Sequence, residues 1–322
     1  MNLKNITMVL ALATTISMAN INDSLPKFPI DFSTNDICIE TDFCENGKST
    51  FQTKKVDTYV NTYYNDLSYN SNSYKKNEVV KGVYTNSIID NHIFEFNYFT
   101  TTIDFKSPID KDIKQEDLVL TYAYGFKNLL FKGGFHNINT NDNVLRDGYV
   151  ISTGISASKL FNQDILTYGV EFYISKYKNG TNLENINKNI TAYQLSSFIN
   201  FSKIIKQGVV TNTSLKINMQ KINNYSNSSY NSFEFKNSLF YNKYYTVATY
   251  LDGEMRTGVR NEGLTVYNSL DKIKKQLNLT VGYSFTNYLD IDITYGKLYI
   301  DEYNGNDNVE AKKLRIAISY LF

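Results

Sequence analysis

The chain has 322 residues, 33 of them basic and 32 acidic, with 27 Tyr, 20 Phe, no Trp, 16 Gly, 3 Pro, 2 Cys and 2 His. Near-neutral charge leaves no basic face to release counterions from phosphates, which excludes nucleic acid as a partner. Two His and two Cys exclude a multi-site metalloprotein, and a chain that is polar on average excludes a bundle of apolar membrane helices.

Residues 1–19 read as a secretory signal peptide: Lys4 in a short positive region, an apolar run from Ile6 to Ile16, then the small-x-small triplet Ser17-Met18-Ala19. The run is shorter than the about 20 residues of a spanning helix, and no Cys follows the small residues to carry a lipid. With Lys4 removed, the mature chain starting at Asn20 is formally neutral. Residues 20–50 form a periplasmic N-terminal segment or a partial plug. Cys38 and Cys44 lie close together beyond the leader, in an oxidising compartment, and are expected to close a short disulfide loop. Two free thiols are the alternative. The pair alone is too few ligands for tetrahedral zinc.

From residue 51 to residue 322 one pattern repeats about every ten residues, with apolar side chains alternating with polar or small ones, which is the mark of a two-faced strand. In the last segment Leu314, Ile316, Ile318, Tyr320 and Phe322 share one face, while Lys313, Arg315, Ala317 and Ser319 share the other. Tight turns are expected near Asp90-Asn91, Lys127-Asn128, Asn162–Asp164, Ile204–Gly208, Asn242-Lys243 and Thr286–Tyr288. Long polar loops are expected at Ser107–Asp117, Asn137–Gly148, Lys178–Asn189 and Asn223–Asn231. With an opening strand near Val56–Tyr64 and a closing strand Val309–Phe322, the count is about 14, with 12 to 16 allowed because Leu264–Gln276 reads as a strand, a loop or an extension. Pro26, Pro29 and Pro108 all avoid the proposed strands.

The alternation of short turns with long loops is the asymmetry of outer-membrane barrels, and it favours a membrane barrel over a secreted sandwich. The fold class is therefore all-β, an antiparallel up-and-down transmembrane barrel in which every backbone group inside lipid is paired. Tyr122, Tyr124, Tyr168, Tyr193, Tyr245, Tyr283, Tyr295 and Tyr320 fall on the apolar face and would supply the interfacial girdles in place of Trp.

The terminal Ile316-x-Ile318-x-Tyr320-x-Phe322 resembles the C-terminal signal of Gram-negative outer-membrane β-barrel proteins, and the whole chain resembles that porin-like class without matching a subfamily. The resemblance implies Sec export, the bacterial outer membrane as location, surrounding lipid and lipopolysaccharide, and recognition of this terminal strand by the barrel-assembly machinery.

An apolar face toward lipid sends Glu95, Lys132, His136, Glu171, Lys216, Glu234, Lys236, Asp252, Glu254, Asp290, Asp292, Lys313 and Arg315 to the lumen. Both signs are present in similar number, so the expected ionic selectivity is weak. These charges line a constriction or, alternatively, bridge one another and fill the lumen. Small residues at Ser152, Gly154, Ser156, Ser158, Gly169, Ser196, Gly282 and Ser284 are expected to leave open space, and fourteen strands leave room for a modest pore.

The function expected on these grounds is passive diffusion of small hydrophilic solutes, with no chemistry and no cofactor. The alternatives are a plugged transporter of hydrophobic compounds, or a non-conducting anchor whose loops, such as Tyr69–Lys76 and Asn223–Tyr230, mediate adhesion. Catalysis is not expected, since His92 and His136 are the only histidines and neither stands in a recognisable nucleophile motif. Gly47-Lys48-Ser49 has Asp42 where a phosphate-binding loop requires Gly. Asn139-x-Asn141-x-Asn143 has calcium-loop spacing but Val144 in place of the turn glycine.

Overall fold

The structure, a computed structural model, describes residues 56–70, 75–106, 112–141, 145–161, 164–179, 190–206, 208–223, 229–256, 272–286, 288–301 and 309–322. The expected signal peptide and N-terminal segment, with the expected disulfide between Cys38 and Cys44, lie outside the described residues. The strands are β1 (Val56–Tyr69), β2 (Lys75–Ile89), β3 (His92–Phe105), β4 (Ile113–Phe126), β5 (Leu129–Thr140), β6 (Leu145–Phe161) and β7 (Asp164–Asn179). They continue as β8 (Ile190–Lys206), β9 (Val209–Asn223), β10 (Ser229–Tyr241), β11 (Tyr244–Arg256), β12 (Lys272–Ser284), β13 (Leu289–Asp301) and β14 (Val309–Leu321).

Each strand pairs antiparallel with its sequence neighbours, and β1 pairs with β14 in the register Tyr59 opposite Leu321, so the sheet closes into a barrel. The expected fold class and strand number are those observed. Closure leaves no edge to be solvated or to aggregate. Phe322 donates its N–H to the Thr58 carbonyl at 2.8 Å, which carries the ladder to the final residue.

Two-residue turns join β2 to β3 and β4 to β5, and Asn242-Lys243 joins β10 to β11. Their first residues Asp90, Lys127 and Asn242 take φ of 53°, 55° and 53°, as the primed turns that match strand twist require. Neighbouring turns are tied round the rim, for the carbonyls of Asn91, Asn128, Gly208 and Lys243 accept from the N–H groups of Gly125, Ser158, Asn242 and Ser284 at 2.8–2.9 Å.

At the other end the strands reach further than alternation indicated. Strands of 12 to 17 residues exceed the about 9–11 that lipid demands. Thus β4 already begins at Ile113 and β5 runs to Thr140, inside segments expected to be loop, and Lys272–Gln276 belongs to β12. These extensions stand beyond the apolar band, where strand pairing continues without an alternating hydrophobic signal.

Candidate functional site

Burial shows which face is inside. On β14 Leu314, Ile316, Ile318 and Tyr320 are exposed on the outer surface, while Lys313, Ala317 and Ser319 are buried on the inner one. The register carries this phase round the barrel, and the outer surface becomes a belt of large apolar side chains: Phe94, Leu120, Phe131, Ile155, Phe172, Ile217, Phe233, Leu279 and Ile293. Such a belt, exposed on a closed sheet, is the surface that a lipid core covers.

Aromatic rings gather where the belt meets the short turns. Tyr244 and Tyr283 stand 4.9 Å apart, Tyr283 and Phe285 4.8 Å, and Tyr320 and Phe322 4.6 Å. There too His92 Nδ1 lies 2.8 Å from the Tyr122 hydroxyl. Of the tyrosines assigned to the lipid face, Tyr245 is misplaced. It pairs with the inner residue Gly282 and points into the barrel, where its hydroxyl donates to Asp292 Oδ2 at 3.4 Å.

The inner wall holds the candidate site. Glu95 on β3, Lys132 on β5, Glu171 on β7 and Lys216 on β9 form a ladder of alternating sign, one member on every second strand. Lys132 Nζ lies 3.9 Å from Glu95 and 3.7 Å from Glu171, and Lys216 Nζ lies 3.3 Å from the other Glu171 oxygen. Gly154, between Lys132 and Glu171 in the register, has no side chain to separate them. Glu234 lies directly opposite Lys216, and Lys236 follows on the same face.

Across the lumen Arg315 Nη1 holds Asp292 Oδ1 at 2.6 Å and its guanidinium sits 5.6 Å from the Tyr63 ring centre. Tyr63 in turn donates to Asn97 Oδ1 at 3.1 Å, on the strand that carries Glu95. Lys313 also faces inward, opposite Gly296, whereas Asp290 lies near the short-turn end opposite Ser319 and is not brought to Lys313.

Asp252 and Glu254 do not join this set, which corrects their assignment to the lumen. The inner face of β11 is Tyr245, Val247, Thr249 and Leu251, as the pairing of Leu251 with Glu234 requires. Asp252 therefore stands outside opposite Lys275, and Glu254, beyond a bulge at Gly253 (φ 108°), meets Lys272 at 3.0 Å on the outer rim. Apolar residues on both faces of Tyr244–Leu251 make the phase of this strand unreadable from alternation.

Of the small inner residues expected to leave open space, Gly169, Ser196, Gly282 and Ser284 are covered, whereas Ser152, Gly154, Ser156 and Ser158 on β6 stay half-exposed. A ring from the neighbouring strand lies over the missing side chain at four glycines: Tyr63 over Gly82, Tyr177 over Gly148, Phe198 over Gly169 and Tyr245 over Gly282. Ser158 and Thr167 bond each other at 2.9 Å, and Ser196 donates to Asn218 Oδ1 at 2.7 Å. The charged residues are enclosed as well, with Glu171 only 4% and Lys216 only 6% exposed.

Toward the long-loop end the inner wall carries two buried apolar arcs that sequence reading missed. One runs over β5 to β10 through Ile138, Val150, Tyr173, Ile190 and Ile222. The other runs over β11 to β14 and β1 through Leu251, Ile273, Leu298, Val309 and Leu67. Between them β2 to β4 present polar groups, chiefly Asp117, which accepts from Gln115 Nε2 at 2.8 Å and meets His136 Nε2 at 2.7 Å. Asn141 of the calcium-like spacing is engaged as a strand cap, its Oδ1 accepting from the Lys114 N–H at 2.7 Å and its Nδ2 donating to the Asp112 carbonyl at 3.2 Å.

A closed sheet with an apolar exterior and charges turned inward decides the architecture. The molecule is a transmembrane β-barrel of porin-like build. Among solved structures the chain is similar to OccAB3 of Acinetobacter baumannii, at 10% identity over 84% of this chain and 99% of that one, with a TM-score of 0.42. It is also similar to Pseudomonas aeruginosa OccD3 (OpdP), at 10% identity over 84% and 91% with a TM-score of 0.39. The outer membrane protein Omp33 of A. baumannii matches at 8% identity over 83% and 99%, with a TM-score of 0.43. No protein-family profile and no curated protein matches the chain.

Proposed function

We propose that this chain is an outer-membrane channel for small solutes, in which the inner belt of charges, and no chemical step or cofactor, acts on what passes. The observation that supports this reading is the ladder Glu95, Lys132, Glu171 and Lys216, faced across the lumen by Asp292 and Arg315. Charges of both signs on the inside of a lipid-facing barrel act on any solute that crosses between them. The outward face of Ile316, Ile318, Tyr320 and Phe322 is the strand that the barrel-assembly machinery would read, and lipid with lipopolysaccharide would cover the belt.

The enclosure of the inner charges favours a second reading, a non-conducting anchor, because ion pairs that saturate one another fill a lumen as well as line it. Purified protein in a planar bilayer separates the two. Discrete conductance steps support the channel, and their reproducible absence from folded barrels supports the anchor.

The selectivity of a conducting barrel tests the placement of the charges. Lys313→Glu with Arg315→Glu makes the lumen more negative by four elementary charges, so the reversal potential in a salt gradient is expected to move toward the cation equilibrium potential. An unmoved reversal potential in a barrel that conducts removes Lys313 and Arg315 from the solute path.

A further inference from the structure

The lipid-facing belt changes character at β1 and β2. On β3 its outward residues are Phe94, Phe96 and Tyr98, and on β14 they are Ile316, Ile318 and Tyr320. Between these walls Asn65, Leu67, Val80 and Asn86 are the buried inner residues, so β1 turns Val60, Thr62, Tyr64 and Asp66 outward and β2 turns Val79, Lys81, Val83 and Thr85 outward. The result is a seam of short and polar side chains. Thr62 lies opposite both Ile318 and Val83, and Thr85 opposite both Val60 and Phe96. Two members of the seam are charged. Lys81 is exposed and stands opposite Tyr64, which stands opposite Ile316, while Asp66 stands opposite Leu314, so by register both fall within the span of the belt.

Charge on the lipid face of a barrel is costly, and costs least where it reaches water or meets its opposite. A lysine can extend toward the rim, but the short Asp66 side chain cannot. Lys81 lays its ammonium over the Tyr64 ring, 5.9 Å from the ring centre, and pairs with no carboxylate among the described residues, although Asp66 stands only one residue pair further along. Asp66 meets no cation among them either. Its Oδ1 accepts from the Asn77 amide at 2.8 Å, in the orientation that satisfies both ends of that amide. By contrast Asn237, also outward in the belt, is satisfied by its neighbour Thr213 at 2.9 Å.

The two charges are self-complementary between copies. Barrels inserted in the same direction are related by an axis along the membrane normal, and a twofold there sets β1 of one against β2 of the other. Each Asp66 then faces the other copy's Lys81, twice in one contact, and the short side chains of Val60, Thr62, Val83 and Thr85 let the two walls approach closely. We propose that the outer face of β1 and β2 is a self-association surface, on which two copies of this chain pair in the membrane through reciprocal contacts of Asp66 with Lys81. The pairing goes beyond the channel reading and holds for a conducting or a sealed barrel alike.

The full chain, labelled at its N-terminal amine with a donor or an acceptor dye, is reconstituted in phosphatidylcholine vesicles, and energy transfer is followed as lipid is added. Transfer is expected to persist at dilutions where random proximity gives none. Asp66→Lys and Lys81→Asp each set like charges face to face and are each expected to weaken pairing at least about tenfold. Mixing the two variants, one with donor and one with acceptor, is expected to restore it, because the reversed charge of each then faces the native charge of the other. Thr62→Trp, a change suited to lipid, fills the seam without touching either charge and is expected to weaken pairing by about the same factor. Mobility of the unheated proteins in detergent gels shows which variants are folded barrels, and Thr62→Trp decides alone if a charge variant does not fold. Transfer in the parent no higher than random proximity overturns the proposal. So does pairing that survives the single changes, and so does a mixture that fails to recover, which places the Asp66 and Lys81 contact within one barrel.

Discussion

Gly282→Val is expected to destabilise the barrel by about 3–5 kcal/mol, the cost of expelling a packed aromatic ring. The ring is that of Tyr245, which lies over Gly282 where a Cβ would stand, packs 5.9 Å from Phe240 and reaches on to Asp292. A side chain at 282 meets ring atoms in every rotamer, because the obstruction is at Cβ itself. Tyr245 must then leave the wall, losing its packing and its bond to Asp292 together. Urea unfolding of the variant in micelles measures the loss, and a cost below about 1 kcal/mol means that the ring is not seated. Coupling identifies the mechanism. Once Tyr245→Ala has removed the ring, Gly282→Val has little left to displace, so the double variant should fall well short of the sum of the two single costs. Additivity would point to the backbone at 282 rather than to the ring.

The same socket explains where sequence reading stopped. Alternation located the strands because the lipid face must be apolar, and Leu314-x-Ile316-x-Ile318-x-Tyr320 carries that requirement without interference from the lumen. It failed in β11, where Tyr245, Val247 and Leu251 are apolar and inward while Asp252 is charged and outward. A residue beyond the lipid band obeys neither rule. Gly169 and Gly282 on the inner face were legible as small but not as covered, since the ring that fills each gap comes from another strand and depends on register. The charges of the ladder were legible one at a time through strand phase. Their order round the wall was not, because it depends on the stagger between strands, which no single segment encodes. Gln115 and Asp117 were lost for a simpler reason: they lie at the long-loop end of β4, in a polar stretch that reads as loop.

Glu171→Gln is expected to cost about 3–5 kcal/mol, the loss that follows when one member of a buried ion-paired set is removed. Glu171 stands between two ammonium groups, with Lys132 at 3.7 Å and Lys216 at 3.3 Å, and accepts the Tyr173 hydroxyl at 2.6 Å. Glutamine preserves the shape and removes the charge, so the two lysines then face each other with no anion between them. Lys132→Met is expected to cost less, because Glu171 retains Lys216 and Glu95 retains the Tyr84 hydroxyl at 3.1 Å. The fourfold change Glu95→Leu, Lys132→Met, Glu171→Leu and Lys216→Met takes away all four charges of the ladder at once and is expected to return to within about 1 kcal/mol of the parent, since an ion-paired set often contributes little over apolar side chains of similar size. Urea midpoints of the three proteins decide the matter. If Glu171→Gln is as stable as the parent, water reaches the ladder and screens it. If the fourfold variant is as unstable as the single one, the carboxylate matters through Tyr173 rather than through the lysines. A ladder that contributes little net stability while its middle member is indispensable has another consequence. A solute carboxylate or ammonium able to replace one partner meets a small net cost, and on the channel reading that is the condition for charges of both signs to line a path without holding what passes along it.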